Sequence, residues 1–325
     1  MNKYIRHARW ALIVWVFFAC SEDEEVAEVP QAAIDAALPA AVPPTGFTSQ
    51  VAQVNGIDLH YVTGGQGDPL LLIHGWPQSW YEWHRVMPTL GQQYTLIVPD
   101  LRGIGGSDNA LLPDGYSKKL LAEDLHALVQ QLGYTSVKII GHDIGLMVGY
   151  AYASEYPEEV EKMVLMDAPL PGIEPFWTGL LQDPRSWHFG FYADGDAAVD
   201  IIGSDIRSYL IEFYQKFAFQ QDAFSEEEID EFARVYSQPG ALRSSLDWYK
   251  GAYRFDIEDN QLYSQTKLQM PILALGGEYS GSYVLPMIQS VADNVSGGII
   301  ANSGHWIVEE QPQAFLDQVI PFLAE

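Results

Sequence analysis

The sequence predicts an α/β fold, a mostly parallel, doubly wound sheet interrupted late by a helical cap. Three observations predict it. Short β-branched or apolar runs at residues 69–73, 95–98, 137–140 and 272–275 have the composition of buried strands, and residues 160–166 read as a further strand. Stretches of helical periodicity lie between the earlier of these runs, and such alternation means parallel strands joined by crossover helices. Residues 172–262 then break the alternation with aromatic-rich helical segments, at 206–219 and 226–237 among others, and no convincing strand. At 325 residues the chain is long enough for one large domain with such an insertion.

The first 45 residues read as targeting sequence and tether. Lys3, Arg6 and Arg9 give a positive start without acids, and residues 10–19 are apolar. A membrane-crossing helix needs about 20 such residues, so this run has the length of a signal-peptide core. It ends in Phe17-Phe18-Ala19-Cys20, and Cys20 is the single cysteine of the chain, so no disulfide forms within it. A small residue before cysteine here resembles the bacterial lipobox, in which the cysteine is lipidated. Phe17 stands where leucine is usual, so ordinary signal cleavage near the same point stays open. Residues 21–45 are acidic, then rich in Ala and Pro, which is tether composition. The expectation is residues 1–20 as signal peptide, 21–45 as tether, 46–171 and 263–325 as the two parts of the core, and 172–262 as cap. The protein is expected to be exported, either as a periplasmic or outer-membrane lipoprotein or secreted, and to meet a membrane only through a lipid on Cys20. The net charge of −26 excludes a nucleic-acid partner, because a phosphate-binding surface must be basic.

Within the core, residues 47–54 and 57–63 alternate like antiparallel strands about an Asn55-Gly56 hairpin turn. The apolar strand at 69–73 ends in His74-Gly75-Trp76-Pro77, a glycine-containing loop whose backbone N–H groups are left free to point into a site. Residues 79–90 read as a helix. The strand at 95–98 leads to Pro99-Asp100-Leu101-Arg102-Gly103-Ile104-Gly105. Its glycines do not make a dinucleotide loop, since no helix follows at once and no acid stands at the right distance. Residues 120–132 read as an amphipathic helix.

The strand at 137–140 runs into Gly141-His142-Asp143-Ile144-Gly145, and a helix of small and apolar residues follows. Strand, pentapeptide with glycine at both ends, and helix make a nucleophile elbow. Most such elbows carry serine at the centre; this one carries Asp143. A carboxylate can displace an epoxide oxygen or a halide from an sp³ carbon, leaving an ester that water cleaves. The N–H groups of Trp76 and Ile144 would form the oxyanion hole for that cleavage. Asp167 follows the next strand, at the carboxyl edge where α/β sheets place their sites. His305 follows Gly304 in the loop after the last strand, where a general base stands. The order nucleophile, acid, histidine is met by Asp143, Asp167 and His305.

From residue 46 to the end, the chain resembles α/β-hydrolases of the epoxide hydrolase branch, and in particular the exported Cif-type (inhibitory-factor) enzymes. The resemblance is carried by His74-Gly75-Trp76-Pro77, Gly141-His142-Asp143-Ile144-Gly145 and Gly304-His305-Trp306. The phrases Leu59-His60-Tyr61-Val62-Thr63-Gly64-Gly65-Gln66-Gly67, Tyr81-Glu82-Trp83-His84 and Ala168-Pro169-Leu170-Pro171 add to it. It implies an α/β-hydrolase fold and hydrolysis of a small apolar epoxide to a vicinal diol, without metal or organic cofactor. It also implies Tyr249 and His188 in the cap as donors to the ring oxygen. Many relatives take the charge-relay acid from a Gly-Glu-x-Asp phrase after the later strand, but Ser280 occupies that Asp position here. Asp167 is therefore expected as the acid, with Glu278 as second candidate.

Two rival readings remain. A dehalogenase uses the same Asp nucleophile, but a departing halide wants N–H donors, and the Ile144 side chain offers none where haloalkane dehalogenases carry Trp and haloacetate dehalogenases Arg. A ligand-binding protein on the same scaffold would often lack a catalytic residue, and all five are present. Oligomeric state, a homodimer included, is not set by the sequence.

Overall fold

The computed structural model describes residues 38–109, 111–112 and 116–325. Strands β1 (Phe47–Val54), β2 (Ile57–Gly65), β3 (Asp68–Ile73), β4 (Tyr94–Pro99), β5 (Val137–His142), β6 (Val160–Met166), β7 (Ile272–Gly277) and β8 (Val295–Ile300) join in one sheet. Their order is β1-β2-β4-β3-β5-β6-β7-β8. β2 is antiparallel to both its neighbours and every other pairing is parallel. The turn between β1 and β2 has Asn55 and Gly56 both at positive φ, 48° and 78°, as a two-residue hairpin matched to strand twist requires.

The chain leaves β3 towards β4 on one side and returns to β5 on the other, so the sheet order reverses at β3. Crevices at the carboxyl ends of strands flanking such a reversal are where open α/β sheets bind ligands. Helices α1 (Lys118–Gln131) and α2 (Ile144–Glu155) carry the crossovers around β5. Ten residues of α2, from Ile144 to Ala153, are buried, so it is an internal helix with no polar face.

Between β6 and β7 the described chain holds helices and no strand: α3 (Phe176–Gln182), α4 (Trp187–Ala193), α5 (Asp196–Gly203), α6 (Ile206–Phe217), α7 (Glu226–Tyr236), α8 (Ala241–Gly251) and α9 (Ile257–Tyr263). α7 starts in a capping box, with Ser225 and Glu228 bonding each other's backbone. This layer is fastened to the loop after β3. The Tyr214 and Tyr236 hydroxyls donate to the carbonyls of Pro77 and Gln78, each at 2.7 Å, and the Arg85 guanidinium grips the Glu228 carboxylate. α10 (Val284–Val291) and α11 (Pro312–Ala324) complete the fold.

The helix expected over residues 79–90 is instead a 3₁₀ turn, Trp80–Arg85, followed by a single α-turn, Met87–Leu90. Pro88 explains the break, because it has no N–H to donate and its ring collides with the carbonyl four residues back. The expected signal peptide and Cys20 lie outside the described residues. Of the expected tether, residues 38–45 are described, and the Ala41 N–H donates to the Glu231 carboxylate of α7 at 3.0 Å.

Candidate active site

The elbow after β5 is built by what its glycines lack. A Cβ on Gly141 would stand 2.2 Å from the Gly145 carbonyl oxygen, and one on Gly145 would stand 2.0 Å from that of Ile73. With both absent, β5, α2 and β3 close up, and Asp143 is held at φ 50°, ψ −118°. A non-glycine residue held there costs about 1–3 kcal/mol and persists because its surroundings over-determine it. Asp167, after β6, is also at positive φ, 47°.

These two carboxylates flank His305. Its Nδ1 lies 2.9 Å from Asp167 Oδ1, and its Nε2 lies 3.7 Å from Asp143 Oδ2. The other oxygen of Asp143, Oδ1, accepts the Trp76 N–H at 2.8 Å. Gly75 lets this loop approach, since a Cβ there would lie 2.5 Å from Asp143 Cβ. Ile144 opens α2 and is buried; an N–H at a first helical position has no partner inside the helix. Asp167 is itself fixed. Its Oδ2 accepts the Gly277 N–H at 2.6 Å and the Ser280 hydroxyl at 2.9 Å. The structure thus joins Asp143, Asp167, His305 and Trp76 in one constellation. Glu278 stands apart from it, exposed, its carboxylate accepting the Asn302 N–H at 2.8 Å.

A cavity of about 390 Å³ opens over Asp143 and is shared by Trp76, Asp167, His305, His188 and Tyr249. Phe176, Leu180, Phe189, Phe213 and Phe217 make most of its wall apolar. Tyr249 comes from α8 and meets the Trp76 ring edge-on, centroids 5.8 Å apart. Burial, and then the Asp143 charge, push its phenol well above the usual range, so it stays a neutral O–H donor. His188, from α4, packs against Phe213 and Phe217 at 5.5 and 5.4 Å. Burial lowers it to about 4, which outweighs the pull of Asp143 and leaves a neutral imidazole at neutral pH.

Several residues that shape the site left no local signal in the sequence. Ser280 and Gly277 hold Asp167 from 113 and 110 residues away. Behind the constellation, Glu82 and His142 are buried side by side, with Gln78 and Glu309 next to them. A glutamate in an amphipathic stretch ordinarily signals a solvated face, and the phrase Tyr81-Glu82-Trp83-His84 adds to the resemblance without giving Glu82 a role.

An aspartate elbow, a relayed histidine and a capped apolar cavity on a doubly wound sheet define a hydrolase of the α/β type. The α/β hydrolase fold family matches residues 68–312, and the chain belongs to that family. Within it the chain falls in the epoxide hydrolase branch. It is 39% identical over 288 residues to the soluble epoxide hydrolase of Corynebacterium sp. (strain C12), covering 86% of this chain and 98% of that enzyme. The structure of the Cif epoxide hydrolase from Acinetobacter nosocomialis matches with a TM-score of 0.80 at 25% identity, over 87% of this chain and 90% of that one. A fluoroacetate dehalogenase of Burkholderia sp. is 29% identical over 286 residues, 82% of this chain and 90% of that protein.

Proposed function

We propose that the protein converts a small, mainly apolar epoxide to a vicinal diol through a covalent ester on Asp143. One arrangement carries the reading. The carboxylate of Asp143 has one oxygen tied to the Trp76 N–H and the other beside His305, and it shares a cavity with two neutral cap donors, Tyr249 and His188.

In the first step Asp143 Oδ2 forms a bond to an epoxide carbon while the ring C–O bond breaks. The developing alkoxide accepts hydrogen bonds from the Tyr249 hydroxyl and a His188 N–H and takes the Tyr249 proton, leaving a phenolate on the His188 side of the cavity until the second step. In the second step His305 Nε2 removes a proton from water, which adds to Asp143 Cγ. The oxyanion that forms is held by the Trp76 and Ile144 N–H groups. Collapse breaks the acyl C–O bond and the diol oxygen leaves with the proton from His305. The second proton of the water, left on the Asp143 carboxyl, returns to the Tyr249 phenolate, so carboxylate and phenol are both restored. Asp167 keeps the His305 Nδ1–H directed at itself, so that Nε2 is the free base. Side chains and water complete both steps.

Halide displacement is disfavoured by the state of the nearby indoles. The Trp76 N–H donates to Ser245 Oγ at 3.1 Å, that of Trp306 to the Tyr214 carbonyl at 2.9 Å, and that of Trp248 to the Arg102 carbonyl at 3.1 Å. None of these three is left to cradle a departing anion, whereas an O–H and an imidazole N–H suit an alkoxide.

A single turnover in ¹⁸O-water tests the reading. The diol oxygen added to the epoxide should be unlabelled, because it comes from Asp143, and the label should appear in the Asp143 carboxylate. A labelled diol with unlabelled enzyme would mean direct attack by water and would overturn the ester mechanism. The exported, lipid-anchored state belongs to the same proposal, motivated by residues 1–20; a Cys20→Ser variant partitioning into detergent like the parent would exclude the lipid.

A further inference from the structure

We propose that Glu82 and His142, which lie outside the cavity, are positioning residues that hold the oxyanion loop and the base loop together and so govern release of the ester rather than its formation. The proposal rests on the ester mechanism above.

Glu82 sits in the 3₁₀ turn Trp80–Arg85 and is fully buried. Its Oε2 accepts the N–H of Gly75, the residue before the oxyanion donor Trp76, at 2.9 Å. Its Oε1 lies 3.0 Å from Nδ1 of His142, the residue before Asp143. This contact is an ion pair rather than an aligned hydrogen bond, since both atoms lack a well-directed partner. On the other side of the ring, His142 Nε2 donates to the carbonyl of His305 at 2.9 Å. One carboxylate and one imidazole thus tie the loop after β3, the elbow after β5 and the loop after β8. Burial by itself would strip the proton from His142, but the charge and contact of Glu82, with Asp143 and Glu309 nearby, raise it to about 9. Both ring N–H groups are therefore present at neutral pH, one for each link.

The two halves of the reaction use this frame unequally. Ester formation needs the Asp143 carboxylate and the cap donors, and Glu82 and His142 touch neither Tyr249 nor His188. Hydrolysis needs a water held between His305 Nε2 and Asp143 Cγ while Trp76 N–H meets the oxyanion. That geometry depends on the spacing of the very loops the pair connects, and a displacement of about 1 Å there costs on the order of 100-fold in rate.

The test compares Glu82→Met with Glu82→Gln by rapid quench and intact mass, alongside steady-state kinetics. Glu82→Met has similar length and no acceptor, so it cuts both links made by Glu82. Glu82→Gln keeps an oxygen for the Gly75 N–H and an amide facing a neutral His142, whose Nε2–H still reaches His305. In Glu82→Met, ester decay should slow by roughly 10–100-fold. The ester should accumulate, and kcat should fall with KM while kcat/KM stays within about threefold. Glu82→Gln should restore ester decay to within about threefold of the parent. A merely structural role would lower the competent fraction, so kcat would fall at unchanged KM with no ester building up. That result, or parental decay in Glu82→Met, overturns the proposal. If Glu82→Met does not fold, the double variant Glu82→Gln/His142→Leu replaces the buried ion pair with neutral side chains, keeps an acceptor for the Gly75 N–H and cuts both links made by His142. It should show the same slow decay, and normal decay there overturns the proposal equally. If the parent forms no ester under any condition, the mechanism itself fails and this inference with it.

Discussion

Replacing Asp167 by Asn should separate the two halves of the reaction. The carboxylate accepts from His305 Nδ1, the Gly277 N–H and the Ser280 hydroxyl. An Asn amide oxygen in the Oδ2 position can satisfy Gly277 and Ser280, which turns the NH₂ towards His305. Nδ1 must then accept, the ring proton moves to Nε2, and the base faces the water with the wrong tautomer. The same change in a serine-protease triad costs about 10⁴ in rate, so ester hydrolysis should fall by about 10³–10⁴-fold, roughly 4–5.5 kcal/mol of barrier. Ester formation should change little, since Asp143 keeps its Trp76 N–H and an Nε2–H at 3.7 Å is no obstacle to it. Glu278→Gln is the control and should stay within about twofold, as that side chain is exposed and binds only the Asn302 N–H among the described residues. Single-turnover mass spectrometry reads both steps. Hydrolysis within about tenfold of the parent in Asp167→Asn, with a large loss in Glu278→Gln, would refute the assignment of the acid.

Two further outcomes follow from the geometry. Tyr249→Phe keeps the packing on Trp76 and removes one donor, so kcat/KM for styrene oxide should fall by about 10–100-fold. Adding His188→Phe should bring the loss into the 10²–10⁴ range of general-acid catalysis, and a double variant as fast as the parent would remove both from the mechanism. The thermal midpoint should fall between pH 6 and pH 9.5 at constant ionic strength. The folded-state pKa of His142, raised to about 9, contributes stability that is complete below about 6.5 and is lost as the pH passes 9. Glu309 acts in the same direction: burial and the Glu82 charge push it up, so the folded protein keeps a proton that the unfolded chain releases, and rising pH favours unfolding. A midpoint that rises across this range contradicts the buried ion pair.

What the sequence made legible was whatever is written locally. The strand over 137–140 shows in its β-branched residues, and the elbow shows in Gly141 and Gly145, whose missing side chains let β5 meet the start of α2 and α2 meet β3. The order of Asp143, Asp167 and His305 along the chain reflects strand order, so it too can be read without coordinates. Other features depend on which distant segments meet. Asp167 and Glu278 both follow buried strands, and only the packing of β6 beside β7 brings the first to His305 and turns the second outwards. Glu82 and His142 are 60 residues apart, and their pairing arises where the 3₁₀ turn after β3 meets the end of β5. The break at Pro88 was obscured because the apolar periodicity over residues 79–90 continues through it.

The claim that the Asp143 carboxylate opens an epoxide and carries the product as an ester is tested most directly with epibromohydrin, which offers both an epoxide and a bromide. The His305→Gln variant retains Asp143, Tyr249 and His188 and lacks the base that would release the ester, so the adduct should persist for intact-mass measurement. An adduct that keeps the bromine isotope doublet is the predicted result, with the ring opened and the halide untouched. An adduct without bromine would mean halide displacement, and no adduct on Asp143 would contradict the account.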